Sequence, residues 1–167
     1  MANIVLVGMP GCGKSTVGVI LAKTLGLSFT DTDLLICAKE ENTLQSIIEE
    51  KGLAYFEKVE NEVGESLKVR NTVVATGGSM IMYEKAMAHL KEIATVVYID
   101  VSLTELKRRL VNIKTRGIAF GKGETLDDIF SIRTPLYKKY ADITVNADEF
   151  TIEETVTKLT ELIKNKR

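Results

Sequence analysis

Residues 3–7 read Asn-Ile-Val-Leu-Val, and Gly-Met-Pro-Gly-Cys-Gly-Lys-Ser-Thr follows directly at 8–16. An apolar strand thus runs into the spacing G-x-x-x-x-G-K-S/T, the phosphate-binding P-loop. Glycines let the backbone bend tightly and turn successive N–H groups inward. Those donors, with the positive end of the following helix, make a cradle for anions. The flanks agree with this reading. Ile4 to Val7 suit a buried central strand. After Lys14, apolar residues recur at Val17, Ile20, Leu21 and Leu25, which is helical spacing. Gly18 and Ala22 are small and four apart, as close helix–sheet packing requires. The loop residues Gly11, Cys12, Gly13, Lys14, Ser15 and Thr16 are the candidate nucleotide-phosphate set. Lys14 is expected to reach the β- and γ-phosphates, and the Ser15 hydroxyl to serve Mg²⁺.

Strand-like runs recur at 4–7, 27–30, 72–75, 95–100 and 143–146. Helical patterns fall between them at 14–25, 33–40, 43–51, 55–69, 82–92, 102–110, 125–140 and 151–164. This alternation predicts an α/β domain with a parallel sheet and right-handed crossovers. At 167 residues the chain is expected to form one domain. Ligands on such sheets sit beyond the carboxyl ends of the strands.

Three features fall there. Asp31-Thr32-Asp33 follows the second strand and offers two carboxylates one residue apart. One can serve the Mg²⁺ shell, an ion that keeps several waters. The other can orient a hydroxyl or take its proton. Asp31 or Thr32 also suits the cap of the next helix. Thr76-Gly77-Gly78-Ser79 follows the third strand, where paired glycines let a ligand approach the backbone. The six arginines include Arg116 in the expected lid and Arg133 on the helix after it, whereas Arg108 and Arg70 read as a surface charge and a structural residue. Asn112 to Glu124 lacks periodicity and carries Gly117, Gly121 and Gly123, so a lid is expected at about 112–124.

Composition narrows the partners. The net charge is −1 and the pI about 6.0, which argues against nucleic acid. No apolar run approaches the roughly 18 residues of a membrane span. Two cysteines, Cys12 and Cys37, suit a reducing cytoplasm rather than a disulfide framework. His89 has no partner for a metal site and reads as a surface residue. A cytoplasmic monomer acting on a small molecule is expected.

In this order, the P-loop, D-T-D, T-G-G, Arg109-x₆-Arg116 and R-x-P-L-Y-x-x-x-A-D from Arg133 to Asp142 resemble the shikimate kinase family over nearly the whole chain. The resemblance implies a P-loop NTPase fold with a five-stranded parallel sheet, a substrate-binding helical segment (about 33–60) and a lid. It implies transfer of the γ-phosphoryl of ATP, with Mg²⁺, to the 3-hydroxyl of shikimate. By position it makes Asp31 an outer-shell Mg²⁺ residue and Asp33 the substrate-hydroxyl residue and candidate base. Gly77 and Gly78 become substrate-lining backbone. Arg109 is assigned to adenine, Arg116 to the phosphates and Arg133 to the shikimate carboxylate.

One departure stands out. The family usually carries F-R-x-x-E, where the arginine is a second carboxylate ligand, and this chain has Phe56-Glu57-Lys58-Val59-Glu60. Losing a charge-assisted pair of roughly 1.5–3 kcal/mol costs about tenfold to over a hundredfold in affinity. Glu57 in the pocket would also repel a carboxylate. A different hydroxylated acceptor (a cyclitol, sugar or amino-alcohol) is therefore an alternative expectation. A nucleotide-binding regulator is a weaker one, given intact Lys14, Ser15, Asp31, Asp33 and Arg116. Ser79 for the family's third glycine and Arg116-Gly-Ile-Ala119 for its R-P-L-L are milder changes.

Overall fold

A computed structural model describes residues 3–110 and 123–166. In chain order its elements are β1 (Asn3–Val7), α1 (Lys14–Leu25), β2 (Ser28–Asp31), α2 (Thr32–Glu40), α3 (Leu44–Lys51) and α4 (Leu53–Ser66). Then come β3 (Thr72–Ala75), a single 3-10 turn (Met80–Met82), α5 (Glu84–Ile93), β4 (Ala94–Asp100) and α6 (Leu103–Leu110). The chain closes with α7 (Leu126–Tyr140), β5 (Ile143–Asn146) and α8 (Ile152–Asn165). The strands form one parallel sheet in the order β2-β3-β1-β4-β5.

The apolar runs explain the strand positions. Every residue of β1 and β3 is buried, as expected of central strands covered on both faces. β5, at one edge, alternates buried and exposed residues. Register pairs Val5 with Val74 on one side and Val96 on the other. The carboxyl ends of β1, β2 and β3 therefore lie side by side, and the P-loop, the Asp31 turn and the Thr76 turn leave from one edge. Thr76 fixes this edge further, because its Oγ1 donates to the Leu6 carbonyl at 2.8 Å.

Close approach depends on small residues. A Cβ on Gly18 would stand 2.7 Å from Phe29 Cε2 and 3.2 Å from Leu6 Cδ1, so α1 seats on the sheet only without one. A Cβ on Gly64 would meet Ala86 Cβ and Met80 Sδ, both at 2.6 Å, where α4 crosses α5. Helices α2, α3 and α4 bury a second, smaller apolar cluster of Ile36, Ile47, Phe56, Val59 and Val63. That cluster fixes which face of α4 turns inward.

Most boundaries fall within two residues of those predicted. The largest shift is at α4, which ends at Ser66 rather than 69. No glycine or proline marks that end. Leu67 turns extended and goes into the core, and His89 Nε2 lies 2.8 Å from its carbonyl oxygen. His89 is therefore a half-buried structural residue, not a surface one, because it hydrogen-bonds backbone freed at the helix end. The predicted lid lies outside the described residues except for Gly123 and Glu124. Among the described residues no helix is long and apolar enough to cross a membrane.

Replacing Gly64 with valine should destabilise the fold by about 1–3 kcal/mol through overpacking. A lower urea midpoint at unchanged slope checks this; an unchanged midpoint would mean that α4 and α5 can separate freely.

Candidate active site

The P-loop leads from β1 into α1 through backbone that side chains resist. Gly13 caps α1 at φ +93°, and Gly11 takes φ +82° with Leu110 Cδ2 2.9 Å from where its Cβ would be. The Lys14 ammonium is buried within this loop. It donates to the Gly8 carbonyl at 2.7 Å and the Met9 carbonyl at 3.0 Å, and lies 3.6 Å from Cys12 Sγ. Cys12 is a buried filler whose sulfur sits against Gly8. Arg109, half-buried on α6, is ion-paired to Glu105 at 2.9 Å and reaches the Cys12 carbonyl at 3.4 Å. Arg108 pairs with Glu105 on the exposed side.

Asp31 links the loop to α2. Its Oδ2 accepts from Ser15 Oγ at 2.6 Å, and its Oδ1 accepts from the Asp33 backbone N–H at 2.9 Å, capping the helix. Thr32 is not the cap; its Oγ1 accepts from the Gly77 N–H at 3.0 Å. The Ser15 hydroxyl and the Asp31 carboxylate are hard oxygen donors beside a phosphate cradle. That donor set fits Mg²⁺, which takes few protein ligands. Burial pushes the Asp33 carboxyl up to about 6; the Asp31 charge adds to the rise and Lys14 opposes it. At neutral pH Asp33 is mostly ionised, near the best range for a general base.

The Thr76–Ser79 turn forms the floor. A Cβ on Gly77 would collide with Glu60 Oε1 and lie 2.8 Å from Asp33 Oδ1. A Cβ on Gly78 would meet Pro10 at 2.8 Å and Arg133 Nη1 at 3.3 Å. Tyr137, stacked on Tyr98 at 5.1 Å, donates its hydroxyl to the Gly78 carbonyl at 2.9 Å and so ties α7 to the turn. Arg133, one turn earlier on α7, is itself buried.

These parts enclose a cavity of about 620 Å³. Pro10, Gly11 and Gly13 to Thr16 line it, together with Asp33, Phe56, Glu60, Thr76 to Ser79 and Arg133. Thr43, Leu44 and Gln45 from the start of α3, and Leu110, complete it. The geometry thus unites Lys14, Ser15, Asp33, Gly77, Gly78 and Arg133. Asp31 and Arg109 stand just behind the wall. Arg116 lies outside the described residues.

Glu57 is exposed and is not among the lining residues. Lys58 is exposed, with its ammonium 4.0 Å from Glu62. The α4 carboxyl in the wall is Glu60, 1% exposed. The Ser79 hydroxyl donates to its Oε2, as does Tyr83 Oη at 2.8 Å. Burial pushes Glu60 up to about 7; the Asp33 charge adds, and Ser79, Tyr83 and Arg133 oppose. Burial, with the Glu60 charge, also raises the Tyr83 phenol, which stays a neutral donor. A sequence signal for Glu60 existed. It lies four residues after Phe56 and three before Val63, so a carboxylate sits on the apolar stripe. Tyr83 and the Thr43–Gln45 wall had no comparable signal, since chain folding alone brings them in.

Comparison with known proteins gives a consistent result. The family model described as shikimate kinase matches residues 10–164. The shikimate kinase of Sulfurihydrogenibium sp. (strain YO3AOP1) is 38% identical over 164 residues, covering 95% of this chain and 98% of that protein. The solved shikimate kinase from Acinetobacter baumannii, in complex with shikimate, superposes with a TM-score of 0.89 at 32% identity, over 100% of this chain and 95% of that one. The Aquifex aeolicus enzyme gives 0.83 at 32% identity, over 98% and 97%. A gluconokinase from Sinorhizobium meliloti, at 20% identity and 0.54, shares the fold alone.

Asp31→Asn keeps the helix cap but removes the charge. It should raise the Mg²⁺ concentration for half-maximal ATP turnover by about tenfold, with the urea midpoint unchanged. An unaltered Mg²⁺ dependence would remove Asp31 from the metal site.

Proposed function

This chain belongs to the shikimate kinase family, and we propose that its cavity moves the γ-phosphoryl of ATP to a ring hydroxyl of shikimate. The observation that carries the reading is the shared cavity, whose wall holds the phosphate cradle together with Asp33 and Arg133. The N–H groups at the start of α1 and the Lys14 ammonium hold the triphosphate. Ser15, with Asp31 behind it, would hold Mg²⁺, which when bound neutralises charge on the β- and γ-phosphate oxygens. Arg133 takes the acceptor carboxylate and the Gly77–Gly78 backbone lines its ring. Asp33 orients the reacting hydroxyl. As the new O–P bond forms and the bond to the β-phosphate oxygen breaks, Asp33 takes the hydroxyl proton and ADP leaves.

Arg109 is assigned to the adenine and Arg116 to the phosphates, the latter from a lid at about 112–124. The helical segment at about 33–60 carries the acceptor side of a single domain spanning 1–167. The protein is assigned as a cytoplasmic monomer with no nucleic-acid or membrane partner. Glu57, exposed on α4 within reach of Tyr83, leaves Arg133 without the second arginine expected of the family. The named relatives favour shikimate over a cyclitol, sugar or amino-alcohol.

An ADP-coupled assay with shikimate tests the roles. Lys14→Ala should lower kcat/KM by at least about 100-fold, in keeping with a lost phosphate contact of several kcal/mol. Asp33→Asn should lower kcat by about 10²–10⁴ while shikimate KM moves less than about threefold. Turnover of Lys14→Ala at the native rate would remove the P-loop from the reaction and contradict the kinase reading.

A further inference from the structure

Glu60 is a buried carboxyl in the cavity wall that phosphoryl transfer leaves without a task. Both donors that reach it, Ser79 Oγ and Tyr83 Oη, go to Oε2. A carboxyl oxygen offers two lone-pair sites, so Oε2 is filled. Among the described residues no hydrogen bond reaches Oε1, which stands beside Gly77 in the wall that also presents Arg133. A proton on this carboxyl therefore resides on Oε1, at the Gly77 turn that lines the cavity.

Charge counting says when that proton is needed. Asp33 must be ionised to accept the hydroxyl proton. A bound carboxylate would then join Asp33 and an ionised Glu60, while the cations facing them among the described residues are the Lys14 ammonium on Asp33 and the Arg133 guanidinium on Glu60. Three buried anions beside two cations are disfavoured, and protonating one relieves the site. Resting on the shikimate reading above, we propose that Glu60 is a specificity-determining residue that binds the acceptor as the neutral acid. Its Oε1–H donates to the acceptor carboxylate beside Arg133, supplying a second donor where position 57 supplies none.

The surroundings set the pH at which this fails. Facing Glu60 are Asp33 from α2, Arg133 from α7, and Ser79 and Tyr83 from the segment before α5; Glu57 on its own helix acts on Tyr83. From α3, only Leu44 and Gln45 line the cavity, besides Thr43 at its cap, and none of these titrates. Burial first, then the Asp33 charge, holds the Glu60 carboxyl at about 7. The folded free protein thus loses this proton above neutrality, and an anionic acceptor must restore it on binding.

The test is calorimetric titration of shikimate into the full chain without nucleotide, in buffers of differing ionisation enthalpy, at pH 6.5 and 8.5. For a group near 7 that must be protonated to bind, Kd should weaken about 25-fold between these values. Binding at pH 8.5 should take up about one proton per site. The Glu60→Gln variant keeps an oxygen for Ser79 and Tyr83 and turns an N–H₂ towards the ligand. It should bind within about threefold at both pH values, with no proton uptake. A wild-type Kd that is flat with pH, without proton uptake, overturns the inference even if the variant does not fold. So does a folded Glu60→Gln protein that keeps the wild-type slope. Failure of the wild-type protein both to bind and to turn over shikimate at pH 6.5 would instead overturn the functional reading, and this inference with it.

Discussion

The space beside Gly77 holds two carboxyl groups because residue 77 has no Cβ. One oxygen of Asp33 and one of Glu60 converge on the place that a side chain would fill. The same turn is held from three other directions. Thr32 accepts from the Gly77 N–H, Tyr137 donates to the Gly78 carbonyl, and Pro10 and Arg133 close on Gly78. The end of β3 is therefore the junction of α2, α4, α7 and the P-loop. Acceptor chemistry is built around backbone because backbone alone fits there.

Asp31 couples the nucleotide half to this junction. One of its oxygens takes the Ser15 hydroxyl, and the other caps the helix whose second residue is Asp33. A single side chain thus sets the Ser15 hydroxyl and the start of the helix that carries Asp33. Its charge also raises the Asp33 carboxyl, as burial does, while Lys14 restrains the rise. The result is a carboxylate that is ionised at neutral pH but still able to receive a proton.

Much of this was legible in the chain. The P-loop, the strand ends at Asp31 and Thr76, and the helical periods depend on neighbours close in sequence, where glycine spacing and apolar period speak directly. Arg133 was legible through its motif. What escaped was the side-chain traffic across the fold. His89 reads as a surface residue until the end of α4 is placed against it. Ser79 reads as a mild change from glycine until its hydroxyl is seen on Glu60. Position 57 drew attention because it breaks a pattern, yet the carboxyl that enters the wall is one turn further on, on the stripe with Phe56 and Val63. The apolar stripe of α4 marks the face that turns inward against α2 and α3, but that Glu60 there meets Ser79 and Tyr83 is set by the fold and not by any local pattern.

The central claim is that the acceptor half of the cavity, with Arg133 its one arginine among the described residues, still selects a carboxylated ring polyol. The most direct measurement is the kcat/KM for phosphoryl transfer from ATP to shikimate, set beside a cyclitol, a sugar and an amino-alcohol under the same conditions. A site built around a ligand's polar groups should reject analogues that leave those groups unpaired, so shikimate should lead by at least about 10²-fold. An uncharged or cationic acceptor matching or exceeding shikimate would contradict the account.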